Sequence, residues 1–190
     1  MLLEKIKLMD QPYFSVEEAQ EYGISARMLK YYADKGDLVR VSQGVYGVPS
    51  RMGIDLESII MEKIKAIPQG VIGLKTALRY YDLSDEGYGL IDVIVPLSNV
   101  PKAKIDDIRL YRVKDRLLKI GVDTNAGFPI TNVERTIIDL MRTGETLSLV
   151  IDVFKNAQIK NIPVSLSNLK KLARIFRVKL KMDQFLKAVL

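Results

Sequence analysis

Arg27, Lys30, Tyr31 and Asp34 stand at i, i+3, i+4 and i+7, the spacing that puts four side chains on one side of a helix. Two cations and a phenol on one outward stripe are donors suited to base edges and phosphate oxygens. Arg40 and Gln43 follow on or near a hairpin tip, where a cation and an amide would reach along a nucleic-acid backbone. Bond-making chemistry has a thinner basis. Asp82, Asp85, Asp92 and Asp106 could hold magnesium for a nuclease-like reaction, since carboxylates alone suffice for that metal. Such a core wants an acid, one spacer and a lysine on a strand, and Asp92-Val-Ile offers no lysine.

The elements that must position the stripe are written in order from Ser15 to Val48. Ser15 and Glu18 form an S-x-x-E capping box that opens one helix. Gly23 ends it, and Ser25 caps the next after a turn of about three residues. In that second helix Met28 or Leu29, Tyr32 and Ala33 have inward spacing. Gly36 closes it, and Leu38 to Val41 and Val45 to Val48 are β-prone runs joined by Ser42-Gln43-Gly44. Helix, tight turn, helix and hairpin in succession describe a winged helix-turn-helix, a common reader of duplex DNA. The same order also serves in protein-docking modules, so a docking role for protein or RNA stands as the competing reading.

Composition narrows the chemistry. The 190-residue chain has neither cysteine nor histidine. Disulfides, thiolate zinc sites, cysteine nucleophiles, Ser-His-Asp triads and imidazole ligands are thereby excluded. No catalytic residue, cofactor or metal is expected. Net charge is +6, unevenly placed. Residues 1–50 hold 6 basic and 7 acidic side chains, 51–159 hold 15 of each, and 160–190 hold 8 and 1. The basic carriers Lys170, Lys171, Arg174, Arg177, Lys179 and Lys181 form a candidate supplementary surface for DNA or for another partner. The alternative is a solvated helix face whose stems cover apolar neighbours. No apolar run approaches a membrane span, and the first residues lack a continuous hydrophobic segment, so a cytoplasmic location is expected.

Beyond a break at Pro49-Ser-Arg-Met-Gly53, Asp55 caps a helix over 56–66, and a second helix covers about 74–81. Ile91 to Val95 and Ile108 to Val113 are strands, Gly121 to Thr124 a weaker one. Helices are expected at about 132–141, 147–156, 166–176 and 182–190. Within the first of these, Glu134 and Arg135 are expected to cap it or pair across a turn, and Tyr80 and Tyr81 to pack with polar tips. The expected fold class is α+β: a winged helix-turn-helix over 1–50, then a mixed α/β domain over 51–190 with a small sheet and a basic helical tail from about 160.

The residues Gly44-Val-Tyr46, Gly70-Val-Ile-Gly-Leu-Lys-Thr-Ala-Leu-Arg-Tyr-Tyr-Asp-Leu-Ser84, Ile91-Asp-Val-Ile-Val-Pro96 and Ile130-Thr-Asn-Val-Glu-Arg-Thr-Ile-Ile-Asp-Leu140 together resemble the AbiEi antitoxin family, the transcriptional-regulator half of abortive-infection toxin-antitoxin systems. The resemblance implies a non-enzymatic repressor that binds inverted repeats in its own promoter. It also implies a C-terminal antitoxin domain that counters a nucleotidyltransferase-like toxin without a stable complex. Carried onto this chain, it makes Ser25, Arg27, Lys30 and Tyr31 groove-facing and Arg40 and Gln43 wing contacts. A solution monomer that fills its two half-sites cooperatively is expected, because nothing near the N-terminus forms a dimer seam.

Overall fold

The computed structural model describes residues 5, 6, 9–84, 86, 87, 89–102 and 105–190. The chain divides into two compact units, Met1–Pro68 and Gln69–Leu190. Both mix helices with a small sheet, as the α+β expectation requires.

In the first unit β1 (Tyr13–Ser15) leads into α1 (Val16–Glu21), then α2 (Ala26–Asp34), β2 (Val39–Ser42) and β3 (Val45–Gly47). The capping box at Ser15 is complete: its amide donates to Glu18 at 2.7 Å, and its hydroxyl accepts the Glu18 amide at 3.2 Å. Gly23 takes φ +70° after α1, and Ile24 tucks into the core in the turn. The hairpin is one strand richer than the sequence reading, because β1 pairs with β3 to give the sheet order β1-β3-β2. Three residues with one apolar face are too short for alternation to announce a strand. Ser42 pairs with Val45, so the loop is the two residues Gln43-Gly44, and a register shift between Arg40 and Ser42 marks a bulge.

Helix α3 (Leu56–Lys65), capped by Asp55, packs on β1 and β3. Lys65 donates to Gln11 at 2.9 Å and pairs with Glu18, which ties this helix to the start of α1. The boundary expected at residue 50 therefore lies too early: Pro49 and Gly53 punctuate the chain locally, but α3 buries Ile60 and Ile64 in the first unit. A punctuated loop is not a domain border when the next helix folds back onto the same sheet.

The second unit has a five-stranded sheet of order β6-β5-β4-β8-β7, from β4 (Val71–Ile72), β5 (Ile91–Pro96), β6 (Ile108–Val113), β7 (Val122–Asp123) and β8 (Ile130–Thr131). All six residues of β5 are buried, because a strand flanked on both edges and covered on both faces needs no polar alternation. Helices α4 (Leu74–Tyr80), α5 (Val133–Thr143), α6 (Leu147–Ile159), α7 (Leu166–Ile175) and α8 (Lys179–Val189) complete it. The segment from 160 onward is no appended tail: Leu169, Leu172, Phe176, Met182 and Phe185 belong to the main hydrophobic core. Helix α8 starts at Lys179, a turn before the expected Met182.

Candidate nucleic-acid interface

Leu29, fully buried, fixes the roll of α2 against Phe14, Ala19 and Leu38. That roll turns Arg27, Lys30, Tyr31 and Asp34 to solvent, as their spacing predicts. Ser25 spends its hydroxyl on the Met28 amide at 3.3 Å, so at the exposed end of α2 it serves first as the helix cap. Tyr31 meets Tyr32 edge to face at 5.2 Å, and the Lys35 ammonium sits 4.7 Å from the Tyr31 ring centroid. These contacts restrict the phenol and keep a third cation beside the stripe.

The structure brings Lys30 and Arg40 to one cleft of about 390 Å³ between the end of α2 and β2. Asp34 lines it too, placing an acid among the cations. Gln43 stands exposed at the hairpin tip, where Gly44 takes φ +76°. Arg27 lies outside that cleft, nearer the N-terminal end of α2, and has no carboxylate partner among the described residues; neither do Lys30 and Arg40. Unpaired cations at a helix start and beside a hairpin are open to phosphate oxygens or base edges.

Residues 3–49 match the family described as transcriptional regulator, AbiEi antitoxin. The match falls on this helix, turn, helix and hairpin and supports a regulator and antitoxin role. The AbiEi resemblance read from the sequence is thus shown over this segment. No curated protein matches the chain. A solved structure, that of the RV2827C protein from Mycobacterium tuberculosis, superposes over 91% of this chain and 72% of its own with a TM-score of 0.55. At 13% identity the likeness concerns the fold alone.

The other sequence candidates are dispersed. Lys170, Lys171, Arg174, Arg177 and Lys179 are exposed, whereas Lys181 donates to the Met141 carbonyl at 2.6 Å near the end of α5. Lys181 is therefore committed to a helix terminus. Of the acids, Asp82 pairs with Lys160, Asp106 is exposed, and Asp85 lies outside the described residues. Among the described residues no three carboxylates gather as a metal site would require. Across the described residues no helix is long and apolar enough to cross a membrane.

Asp92 is buried on β5, and its Oδ2 accepts the Lys75 amide at 3.1 Å. It thereby caps α4, whose own N-cap Gly73 has no side chain. Its Oδ1 has no hydrogen-bond partner among the described residues, and Arg109 Nε stands 3.6 Å away. Burial raises the carboxyl above the ordinary 3.8, against the opposing pull of Arg109. The folded chain then holds this proton more tightly than the unfolded chain. Asp92 contributes stability below 3.8 that is lost as pH rises through the raised folded value. Asp92→Asn, which imitates the neutral form, is expected to exceed the parent in stability at pH 7 and to match it near pH 3. Urea unfolding at the two pH values checks this, and a variant less stable at pH 7 would contradict it.

Arg135 pairs across a turn of α5 with Asp139, one of the two roles expected of it, but its side chain is fully buried, which was not expected. Its Nε meets Asp139 at 2.7 Å, its Nη1 donates to the Leu117 and Ile120 carbonyls, and its guanidinium lies 4.0 Å from the Phe176 ring centroid. The i, i+4 spacing of Arg135 and Asp139 was the available signal. Glu134 instead braces the start of α7, which Ser165 caps, by accepting the Ser165 amide at 2.7 Å and the Asn168 side-chain amide.

Proposed function

We propose that this chain is a DNA-binding transcriptional repressor and antitoxin whose first unit is a winged helix-turn-helix. The single observation that carries the reading is the exposed, unpaired set Arg27, Lys30 and Arg40 on α2 and β2, inside the segment that matches the AbiEi regulators. Helix α2 enters the major groove with Ser25, Arg27, Lys30 and Tyr31 leading, and Arg40 and Gln43 follow the backbone. The target is an inverted repeat in the chain's own promoter, filled cooperatively by two monomers whose symmetry the DNA supplies.

Residues 1–68 hold nine basic and ten acidic side chains, so phosphate contacts there are few. Lys170, Lys171, Arg174, Arg177 and Lys179 supplement them from the second unit, which also neutralises a nucleotidyltransferase-like toxin without a stable complex. The protein acts in the cytoplasm and has no catalytic step of its own.

The test is a promoter reporter with the intact chain supplied in trans. Repression that follows the inverted repeat and vanishes when one half-site is scrambled is the expected result. Equal expression with and without the chain overturns the repressor reading.

A further inference from the structure

We propose that the second unit carries a phosphate-binding cleft, built from the end of β6, the turn that follows it, and the C-terminal ends of α5 and α7. The cleft is about 220 Å³ and draws Arg112, Lys114 and Arg116 from one stretch of chain, Arg142 from a second and Arg177 from a third. Among the described residues no acidic side chain lines it. Buried Val113 and Phe176 contribute to an apolar floor.

Five cations around so small a space repel one another, and the arrangement is favourable when an anion offsets them. Arg112, Lys114, Arg116 and Arg177 are exposed and have no carboxylate partner among the described residues. Arg142 is the fixed member. Its Nε is held by Asp139 at 3.0 Å and its Nη1 by the Arg112 carbonyl at 3.0 Å, while its buried Nη2 has no hydrogen-bond partner among the described residues. Held at Nε and Nη1, the guanidinium is a fixed positive charge in the cleft wall, which favours an oxyanion. The Asp139 carboxylate is already shared between Arg142 and buried Arg135, so local charge stays positive.

Arg177 adds an independent sign. It adopts φ +60° just beyond α7, where the Val178 amide closes on the Ala173 carbonyl at 2.9 Å. Glycine is the residue favoured there, and a long cation held in that conformation carries strain of the kind found at binding sites. The ligand is a phosphate group, supplied either by a free nucleotide or by a nucleic-acid strand. Arg177 is shared with the supplementary DNA surface, but Arg112, Lys114, Arg116 and Arg142 take no part in the operator reading, so the cleft can fail or hold independently of it.

The full-length chain is titrated with pyrophosphate, with GTP and with a short single-stranded RNA, while backbone amide shifts are followed by NMR. Saturable shifts confined to 112–117, 142 and 175–178 are expected with pyrophosphate. Loss of two charge-assisted contacts in the Arg112→Gln, Arg116→Gln double variant is expected to weaken pyrophosphate at least about tenfold. Loss of equal charge at exposed Lys155 and Lys187 is expected to leave it unchanged. Arg177→Gly is expected to weaken binding without lowering the Tm, which separates a ligand contact from a folding role. Tighter GTP than RNA assigns the free nucleotide, and the reverse assigns the strand. Shifts spread over the whole surface, no saturation, or equal weakening by the Lys155 and Lys187 changes would overturn the cleft.

Discussion

Asp139→Ala is expected to cost about 3–5 kcal/mol, the loss typical when one partner of a buried ion pair is removed. Asp139 and Arg135 are both wholly inaccessible, and Asp139 is the only carboxylate that Arg135 meets among the described residues. Without it the guanidinium keeps two backbone carbonyls and the face of Phe176, while its Nη2 stays unpartnered. Those contacts offset only part of the cost of a buried charge. Gly121 adds to the constraint: a Cβ there would stand 2.7 Å from Arg135 Cβ, so the turn beneath the arginine leaves it little room to move away.

Arg142→Ala serves as the comparison. Its side chain is 23% exposed, and it uses the other Asp139 oxygen. Solvent stabilises what remains, and about 1 kcal/mol is expected. Urea unfolding of both variants at pH 7 decides. A difference of 2 kcal/mol or more, roughly, is the expected outcome, and near-equal losses would contradict the buried-pair account.

Most of the first unit was legible in the chain, for a local reason. The capping box at Ser15, the Ser25 cap and the glycines at 23, 36 and 44 act within a few residues of themselves, so sequence order reads them directly. The stripe of Arg27, Lys30 and Tyr31 followed from helical period alone. What was missed depends on distant partners. Strand β1 exists because Tyr13–Ser15 meets β3, and α3 joins the first unit because it lies on that sheet. Strand β5 was legible as a strand, but the burial of Asp92 beside its apolar residues comes from neighbours that the sequence order does not reveal. The alternation of Arg112, Lys114 and Arg116 was visible in the sequence, but Arg142 and Arg177 reach the same cleft only through the fold. Burial of Arg135 was likewise beyond a local reading, since Leu117, Ile120 and Phe176 all lie far from it in the chain.

The second large effect belongs to the first unit. Arg27 sits in the first turn of α2, exposed and unpaired, where a fork of donors can take two acceptors on one base edge. Arg27→Ala is expected to cost about 1–3 kcal/mol on the inverted repeat and to relax discrimination at one position of each half-site. Lys30 stands a turn further along, beside Arg40. As a point charge on a phosphate, its loss weakens all sequences alike and lowers the salt slope by about 1.

Binding isotherms on promoter DNA and on a scrambled duplex, taken at several salt concentrations for the intact chain, Arg27→Ala and Lys30→Ala, test the central claim most directly. The account predicts that Arg27→Ala narrows the gap between the two duplexes while Lys30→Ala leaves the gap and flattens the salt dependence. Unchanged isotherms in both variants would contradict the assignment of α2 as the DNA-reading helix.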